Sequence, residues 1–317
     1  MEFQSSSPAT ADASPLVTVI IPTIGRPRYV VDTLRSVLIQ TYSNLQILIS
    51  DNAPTVATVP LLVAAGITDC RIEVVERAQR LASSVHMNAC IAQARGTYLM
   101  ILSDDDQIAA GYIEEMVSLL TSRPDVTVAL GRQVKIKEDD QGMVSDDSPV
   151  LTQRVINGVE FLKGTLSGTL QSQVLTYISL FARKDHVLRA GAFKDYPDGS
   201  HADNFLFFNL ALRGHVALGS SLMFYRVYLT STGLGTPFSA LLAATRAYTS
   251  DCARALQGAS SIDNVDKQRI LRLVERGNFQ MLLSRLRHVY RRRMSVAEFL
   301  RCLLQVAQFR LMRAHVI

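Results

Sequence analysis

Three consecutive carboxylates, Asp104, Asp105 and Asp106, follow a short apolar run at residues 98–102. The apolar run predicts a buried β-strand. Burying three like charges together would cost more than a strand gains, so we expect them at an exposed strand end, beside a cation or strong donors. Hard oxygen ligands suit Mg²⁺ or Mn²⁺, and both metals pair with a diphosphate. The alternative is a solvated acidic turn that caps the following helix, which is commoner for an isolated Asp cluster.

Two further predicted strands end in polar groups. Residues 16–21 and 45–50 are apolar and rich in β-branched side chains, which indicates buried parallel strands. The first strand is followed by the turn at residues 22–26, and the second by Asp51 and Asn52. Ligands of open α/β sheets bind outside the carboxyl ends of the strands. We therefore expect these groups to share one crevice with the three aspartates.

The order of elements predicts an α/β fold with a mostly parallel, Rossmann-like sheet flanked by helices. Periodicity predicts strands at 16–21, 45–50, 71–76, 98–102 and 126–131, with helices at 29–41, 81–94 and 111–121. None of the strands is followed by a Gly-x-Gly-x-x-Gly fingerprint or by a Gly-Lys-Ser/Thr phosphate loop. The sequence therefore argues against a nicotinamide dehydrogenase and against a P-loop NTPase.

The second half of the chain gives weaker patterns. We expect an exposed acidic loop at 138–148, helices at 155–166, 182–196 and 205–212, and a short strand at 177–181. Beyond residue 231 the pattern is helical, at 238–257, 262–286 and 295–314. The division into domains is expected near 231–237.

Composition indicates a globular chain, with 48% hydrophobic and 19% charged residues. No apolar run reaches the roughly 18 residues of a transmembrane helix. Residues 1–14 carry neither a basic nor an apolar signal-peptide region, and we interpret them as a disordered leader. The four cysteines lack disulfide or metal spacing, which favours reduced thiols and a cytoplasmic protein.

The net charge of +5 is concentrated at the C-terminus. From Arg285 onward the chain has eight arginines against one acid, Glu298, so residues 1–284 carry a net charge of −2. This distribution argues against a nucleic-acid-binding core and favours one localised anionic contact. One interpretation is a helix on the anionic inner face of the cytoplasmic membrane, which would make the protein peripheral. A helix packed on the body with solvated arginines, or a contact in a homo-oligomer, is the alternative.

Four motifs, in order and spacing, resemble family 2 glycosyltransferases with the GT-A fold. They are Val19-Ile-Ile-Pro-Thr-Ile-Gly-Arg-Pro27, Ser36-Val-Leu-Ile-Gln-Thr-Tyr42, Ser50-Asp-Asn-Ala-Pro-Thr55 and Leu102-Ser-Asp-Asp-Asp106. The resemblance covers residues 16 to 230. It implies a glycosyltransferase domain at 15–230, with a nucleotide-binding half at 15–131 and an acceptor half at 132–230. The helical, basic region at 231–317 follows it.

The resemblance implies an inverting transferase that uses a nucleotide-diphosphate sugar, a divalent metal (Mn²⁺ or Mg²⁺) and a saccharide or lipid-linked saccharide acceptor. Polysaccharide, O-antigen or other glycoconjugate synthesis would be its role. A non-catalytic nucleotide-sugar-binding protein is the alternative from another class. A sugar nucleotidyltransferase would need a Gly-rich loop after the first strand, where Gly25 stands alone.

The family's donor-binding positions fall on seven residues, which are Pro22, Thr23, Arg26, Asp51, Arg77, Asn88 and Asp104. By this resemblance Asp51 would contact the nucleobase and Asp104 the ribose. Arg77 would face the diphosphate, with Arg80 as the second choice. Asn88 would line the same pocket. Each has a structural alternative, since an Asp before a turn and a surface Arg are common without any role.

The metal would bind Asp105, and Asp106 is a further candidate ligand. The family's base lies in a Glu-Asp pair about a dozen residues before a glycine. Here Asp203 takes that position before Gly214, and Ala202 replaces the glutamate. Asp203 could instead cap the helix that follows it. His201 is the alternative base, because an imidazole titrates near neutral pH.

Overall fold

In the computed structural model nine strands form one sheet, and the structure describes residues 14–53, 57–137, 153–170, 180–227, 237–290 and 294–311. The strands are β1 Val17–Thr23, β2 Leu45–Asp51, β3 Ile72–Glu76, β4 Tyr98–Ile101, β5 Gln107–Ile108, β6 Val126–Lys137, β7 Arg154–Asn157, β8 Phe181–Arg183 and β9 His215–Val227. Their order is β3-β2-β1-β4-β8-β6-β9-β5, and β7 pairs with β9.

Helices cover both faces of this sheet. They are α1 Pro27–Leu38, α2 Thr58–Ala64, α3 Ser83–Gln93, α4 Tyr112–Ser122, α5 Gly158–Ser167, α6 Lys184–Arg189, α7 Ala202–Leu212, α8 Phe238–Gly258, α9 Asn264–Arg285 and α10 Val296–Leu311. A 3₁₀ turn at Pro197–Gly199 precedes α7, and a π-helical segment at Leu286–Tyr290 extends α9.

The alternation of side chains along β1 shows why the sheet is buried on both faces. Val17, Val19 and Ile21 join one hydrophobic core with α1, α2 and α4. Ile20 joins the other core, which is built from α3, α5, α6, α7, α8 and α9. Successive side chains of a strand point to opposite faces, so an unbroken apolar run fits a strand between two helical layers.

The expectation of a mostly parallel sheet is correct for only half of it. Strands β3, β2, β1 and β4 are parallel neighbours. The three-residue strand β8 then pairs antiparallel with both β4 and β6, and β9 pairs antiparallel with β5 and β7. The sheet is therefore mixed, because a short antiparallel strand joins the two halves.

Several element boundaries also differ from the expectations. Strand β6 runs to Lys137 instead of residue 131, residues 154–157 form β7 before α5 begins, and α6 has only six residues. The sequence reading missed α2, β5 and β9. Gly219, Ser220 and Ser221 interrupt the apolar pattern of β9, which explains the miss. The expected leader, most of 177–181 and the acidic loop fall largely or wholly outside the described residues.

The helices beyond residue 237 share a core with the sheet. Tyr248, Cys252 and Leu256 of α8, with Ile270 of α9, belong to the same hydrophobic cluster as Ile20 of β1. A further cluster joins α8, α9 and α10. The expected division near 231–237 therefore separates elements that pack together. Among the described helices none has the length and apolar character needed to cross a membrane.

The close approach of β1 and β4 depends on Gly96. A Cβ at this position would lie 2.5 Å from the backbone nitrogen of Thr18 and 2.8 Å from the carbonyl oxygen of Leu16. We expect Gly96→Ala to lower the free energy of unfolding by about 3 kcal/mol, because backbone atoms cannot move aside cheaply. Urea denaturation measures it. Gly277→Ala is the matched control, since open space surrounds Gly277 on helix α9, and it should raise stability by about 0.5–1 kcal/mol. Equal effects of the two substitutions would contradict this account.

Candidate active site

The loops after β1, β2 and β4 are joined by hydrogen bonds at the carboxyl edge of the sheet. Thr23 Oγ1 donates to Asp104 Oδ2 at 2.6 Å, and the backbone nitrogen of Gly25 donates to Asp51 Oδ1 at 3.3 Å. A guanidinium nitrogen of Arg26 donates to Asp105 Oδ2 at 2.9 Å. The expected convergence of the three strand ends is therefore present.

The order of the strands explains why the groups meet there. The chain proceeds from β1 outward through β2 to β3, and β4 then pairs on the other side of β1. Such a reversal of strand order opens a crevice at the carboxyl ends of the two central strands. Thr23 and Arg26 line the β1 side of this crevice, and Asp104 and Asp105 line the β4 side.

Asp104 is buried and short of positive charge. One of its oxygens accepts from Thr23, and the other lies 3.5 Å from the guanidinium of Arg26. Burial raises the pKa of Asp104 to about 6; Thr23 and Arg26 oppose this shift, and the neighbouring charge of Asp105 adds to it. The site therefore favours the arrival of a cation.

Asp106 points into the protein instead of into the crevice. It is fully buried, and its Oδ1 accepts from the backbone nitrogen of Arg226 at 2.9 Å. Its Oδ2 has no hydrogen-bond partner among the described residues. Burial, with the charge of Asp105 next, raises the pKa of Asp106 well above its usual range. The geometry separates Asp106 from Asp105, which the sequence could not do.

Arg226 is a site residue that sequence reasoning missed. It is 3% exposed, its Nε donates to the carbonyl oxygen of Asp105 at 3.1 Å, and its guanidinium lies 5.0 Å from the ring centroid of Tyr29. A buried arginine beside three carboxylates supports the turn that carries them. No local sequence pattern marks Arg226, because its partners Asp105 and Asp106 lie far away in the sequence.

Asp51 is held from two directions. Its Oδ1 accepts from Gly25, and its Oδ2 accepts from Thr58 Oγ1 at 3.0 Å. The next residue, Asn52, exchanges two hydrogen bonds with the backbone of Leu81, at 2.8 and 2.9 Å. Pro22 is part-exposed at the end of β1, where it pairs with Ser50. These contacts fix the loop between β3 and α3 against the end of β2.

Arg77 is the first residue of this loop. Its backbone nitrogen donates to the carbonyl oxygen of Asp51 at 2.9 Å, and its Nε and one terminal nitrogen are buried without partners among the described residues. Its charge is close enough to His86 to contribute to a lowered pKa. The structure shows no hydrogen bond from Arg77 to Asp104 or Asp105. Arg80 is exposed, and a role for either arginine stays a prediction.

Asn88 links α3 to the segment before α7. Its Nδ2 donates to the carbonyl oxygen of Phe193 at 2.8 Å, and its Oδ1 accepts from the backbone nitrogen of Phe193 at 2.9 Å. Both ends of the amide are thereby used on the backbone of one residue. The structure gives Asn88 a positioning contact, and its expected place in the donor pocket remains untested.

Asp203 lies in the first turn of α7. Ser84, in the first turn of α3, donates to Asp195 at 2.7 Å, and Ser83 lies against Gly199. These contacts bring the segment that precedes α7 to the beginning of α3, next to the loop that follows β3. Burial raises the pKa of Asp203, and the backbone amides of Asn204 and Asp203 oppose the shift. A carboxylate with a raised pKa is a stronger base.

The carboxylates of the crevice suit a metal ion that the protein binds jointly with substrate phosphates better than one that the protein binds alone. No group of three or more His, Cys, Asp or Glu side chains among the described residues could hold an ion alone. Mg²⁺ is commonly bound by one or two carboxylates together with substrate phosphates. Asp105 meets that requirement, since its Oδ2 faces the crevice and Arg26 already compensates its charge.

A separate cleft of about 760 Å³ lies along the other side of α7. Lys194, Phe205, Asn209, Arg213 and Arg254 line part of it. None of the predicted site residues lines this cleft. The candidate site is therefore the crevice at the strand ends and not this cleft.

The family model described as Glycosyl transferase family 2 matches residues 18–178, which is half of the chain. A glycosyltransferase of Streptococcus pneumoniae serotype 4, GlyG, is 26% identical over 127 residues, 40% of this chain and 42% of that protein. An uncharacterised glycosyltransferase of Haemophilus influenzae is 24% identical over 206 residues, 58% of this chain and 64% of that protein. The chain covers less than two thirds of either relative.

Solved structures share the fold. The structure of Staphylococcus aureus TarS, residues 1–349, superposes with a TM-score of 0.68 at 14% identity and covers 92% of this chain and 80% of that one. The structure of the same protein in complex with UDP-GlcNAc gives 0.69 at 13% identity, with the same coverage. At such identities the likeness concerns the fold, which is GT-A with a helical C-terminal region.

The buried imidazole of His86, which contacts Ser50 of β2, should make the free energy of unfolding depend on pH. His86 Nε2 lies 2.9 Å from Ser50 Oγ, and burial, followed by the charge of Arg77, lowers the pKa of His86 to about 4. Because the unfolded chain binds this proton near pH 6.5, acidification from pH 6.5 toward 4 should favour unfolding. We expect a loss on the order of 1–2 kcal/mol, after allowance for solvent screening.

Urea unfolding of the wild type and of His86→Gln, at several pH values, tests this expectation. Apart from a pH-independent shift caused by the substitution, the free energy of unfolding of the wild type should fall relative to that of the variant as the pH falls from 6.5 toward 4. A difference that is independent of pH would show that His86 is not buried as a neutral group.

Proposed function

The chain belongs to glycosyl transferase family 2, and from that premise we propose that it moves a sugar from a nucleotide-diphosphate sugar to an acceptor hydroxyl. The observation that carries this proposal is the convergence of Thr23, Arg26, Asp51, Asp104 and Asp105 at one crevice. The S. aureus TarS fold, which accommodates UDP-GlcNAc in that protein, supports a nucleotide sugar as the donor.

We assign the donor's nucleoside to the β1–β2 side of the crevice. Asp51 and Asp104 would accept from the base and the ribose, and Thr23 keeps Asp104 in place through its short hydrogen bond. The diphosphate would then lie over Arg26 and Asp105. Arg26 is one-third exposed and ends a long flexible side chain, so it can release Asp105 and turn to a phosphate.

We propose that Asp105 binds Mn²⁺ or Mg²⁺ together with the diphosphate, and that Asp106 supports the turn that carries Asp105. A bound divalent cation would offset the negative charge that develops on the departing nucleoside diphosphate. Asp106 bonds the backbone of Arg226 and does not reach the crevice. Its role would be to hold, with Arg226, the turn that presents Asp105.

We propose Asp203 as the base of an inverting displacement. The acceptor hydroxyl attacks the anomeric carbon, its proton passes to the Asp203 carboxylate, and the bond to the diphosphate oxygen breaks. The raised pKa of Asp203 suits this transfer. Ala202, which stands where the family has a glutamate, favours a non-catalytic sugar-nucleotide-binding protein as the second candidate.

Release of nucleotide from a panel of UDP-, GDP-, CDP- and dTDP-sugars should distinguish the two candidates. We expect the wild type to release nucleotide from one donor in the presence of Mn²⁺ or Mg²⁺, and chelation should abolish the release. Asp105→Asn should weaken the metal dependence of donor binding. Asp203→Asn should bind donor normally and lose roughly 10²–10⁴-fold in transfer, because a positioned base contributes that much.

Two outcomes would contradict these assignments. Donor binding without any nucleotide release, with or without a saccharide acceptor, would favour the non-catalytic candidate. Wild-type transfer by Asp203→Asn would remove Asp203 as the base. Calorimetric titration of the donor into each variant provides the control, since it separates lost binding from lost chemistry.

We further propose that α10 contacts an anionic membrane surface. Val296, Leu300 and Leu304 are 78%, 52% and 65% exposed and recur every four residues, so they form one apolar stripe. Arg287 and Arg301 are exposed near this stripe in the sequence. Apolar side chains with arginines beside them suit an interfacial helix. A lipid-linked saccharide acceptor would fit this location.

Flotation with liposomes that contain anionic lipid tests the membrane contact on the full chain. Leu300→Gln with Leu304→Gln should reduce flotation several-fold, because two apolar contacts with the bilayer are lost. Val59→Gln with Val63→Gln is the matched control, since these residues are exposed on α2, and it should float like the wild type. Equal flotation of all three proteins, or flotation of none, would contradict the proposal.

A further inference from the structure

His201 has a backbone conformation that is unusual for its residue type. It is the N-cap of α7, two residues before Asp203, with φ 68° and ψ −2°. Few non-glycine residues adopt this left-handed region, and such residues persist only where their surroundings hold them. The turn that presents Asp203 is therefore a place where specific contacts must maintain the geometry.

The contacts that hold His201 come from α8. His201 Nε2 lies 3.0 Å from Thr245 Oγ1, and its ring stacks on Tyr248 with centroids 4.8 Å apart and planes 3° apart. Thr245 is fully buried and Tyr248 is 7% exposed. Both residues lie beyond residues 18–178, the part that the family model matches. The turn that carries the proposed base is thus held by a helix that lies outside the region matched by the family model.

The hydroxyl of Thr245 determines which ring nitrogen carries the proton. Thr245 Oγ1 donates its single proton to the carbonyl oxygen of Leu241 at 2.7 Å. It can therefore only accept from His201, so Nε2 carries the proton and donates. In the neutral ring Nδ1 then holds the lone pair, and it faces the side-chain amide of Asn204 at 3.5 Å. His201 is engaged on both sides, which argues against its use as the base.

Tyr248 connects this contact to Asp203 itself. Its ring is buried against His201, and the charge of Asp203 is near enough to contribute to the raised pKa of the Tyr248 phenol, after burial and Cys252. Tyr248 thus contacts His201 directly and lies within electrostatic range of Asp203. Because His201 directly precedes the first turn of α7, its contacts with α8 bear on the turn that carries Asp203.

We propose that His201 is a positioning residue, held by Thr245 and Tyr248 of α8, that sets the orientation of Asp203 toward the acceptor hydroxyl. The proposal rests on the function proposed above. It makes α8 part of the catalytic unit. Misplacement of a reacting group by about 1 Å can cost 10²-fold in rate, so the effect should appear in kcat while donor affinity is preserved.

Thr245→Val tests the hydrogen bond with little change in side-chain volume. We expect kcat for transfer to fall roughly 10- to 100-fold, with the KM for donor unchanged within about twofold. Thr249→Val is the matched control, because Thr249 lies one turn further along α8 and its hydroxyl bonds Thr245 O and Asn278. The control should retain wild-type kcat even if both variants lose stability.

Two substitutions of His201 separate the hydrogen bond from the backbone conformation. Gln can place a donor near the position of Nε2, whereas Asn tolerates the left-handed region but is too short to reach Thr245. We expect His201→Gln to retain more kcat than His201→Asn. The reverse order would mean that only the backbone conformation matters, and it would overturn the proposed contact.

Amide hydrogen exchange provides a readout that does not depend on turnover. The Phe205 amide donates to the His201 carbonyl oxygen at 2.9 Å, and its exchange should accelerate at least about tenfold in Thr245→Val but not in Thr249→Val. Equal exchange and equal kcat in the two variants would overturn the positioning role. If the wild type releases no nucleotide, the proposed function fails, and the exchange result still decides whether α8 holds the turn.

Discussion

The placement of negative charge at the end of β4 is the constraint on which the site depends. Asp104, Asp105 and Asp106 are each less than 10% exposed, and adjacent buried carboxylates repel one another. The structure compensates them with Thr23 and Arg26 from the β1 loop and with Arg226 from β9. The remaining deficit of positive charge is concentrated at the crevice, where the family's donor would bring a diphosphate and its metal. The same imbalance would favour the binding of a cation at this edge of the sheet.

The sheet satisfies this constraint by combining two halves of different character. The parallel half, β3-β2-β1-β4, brings three loops to one edge and forms the crevice. In the half beyond β8, β9 is parallel to β6 and antiparallel to β5 and β7. Its Arg226 donates to the backbone carbonyl oxygen of Asp105. Strand β8, which has three residues, pairs with β4 and with β6 and so joins the two halves. The strands beyond β8 therefore add a support for the aspartate turn to the crevice that the parallel strands form.

How much of the structure the sequence could predict depends on how far apart in the sequence the contacting residues lie. Unbroken apolar runs predict the buried strands β1, β2 and β4. The polar residues of the site lie within a few positions of the end of each strand. Arg226 and Thr245 act on residues far away in the sequence, so no local pattern marks them. The same holds for Asn88, whose amide forms two hydrogen bonds with the backbone of Phe193, 105 positions away. Motif spacing predicted which strand ends converge, but it could not assign partners across the fold.

The replacement of the family's glutamate by Ala202 has a packing explanation. Ala202 is 5% exposed and belongs to the same hydrophobic core as Leu206, Phe207 and Tyr248. A glutamate in that core would be a buried charge, which is costly without a partner. Burial already raises the pKa of Asp203, so the proposed base would not need a second carboxylate beside it. At this position the turn has an apolar neighbour in place of a charged one. Tyr248 of α8 belongs to the same hydrophobic core as Ala202, so the helix that contacts His201 also contributes to the apolar surroundings of the turn.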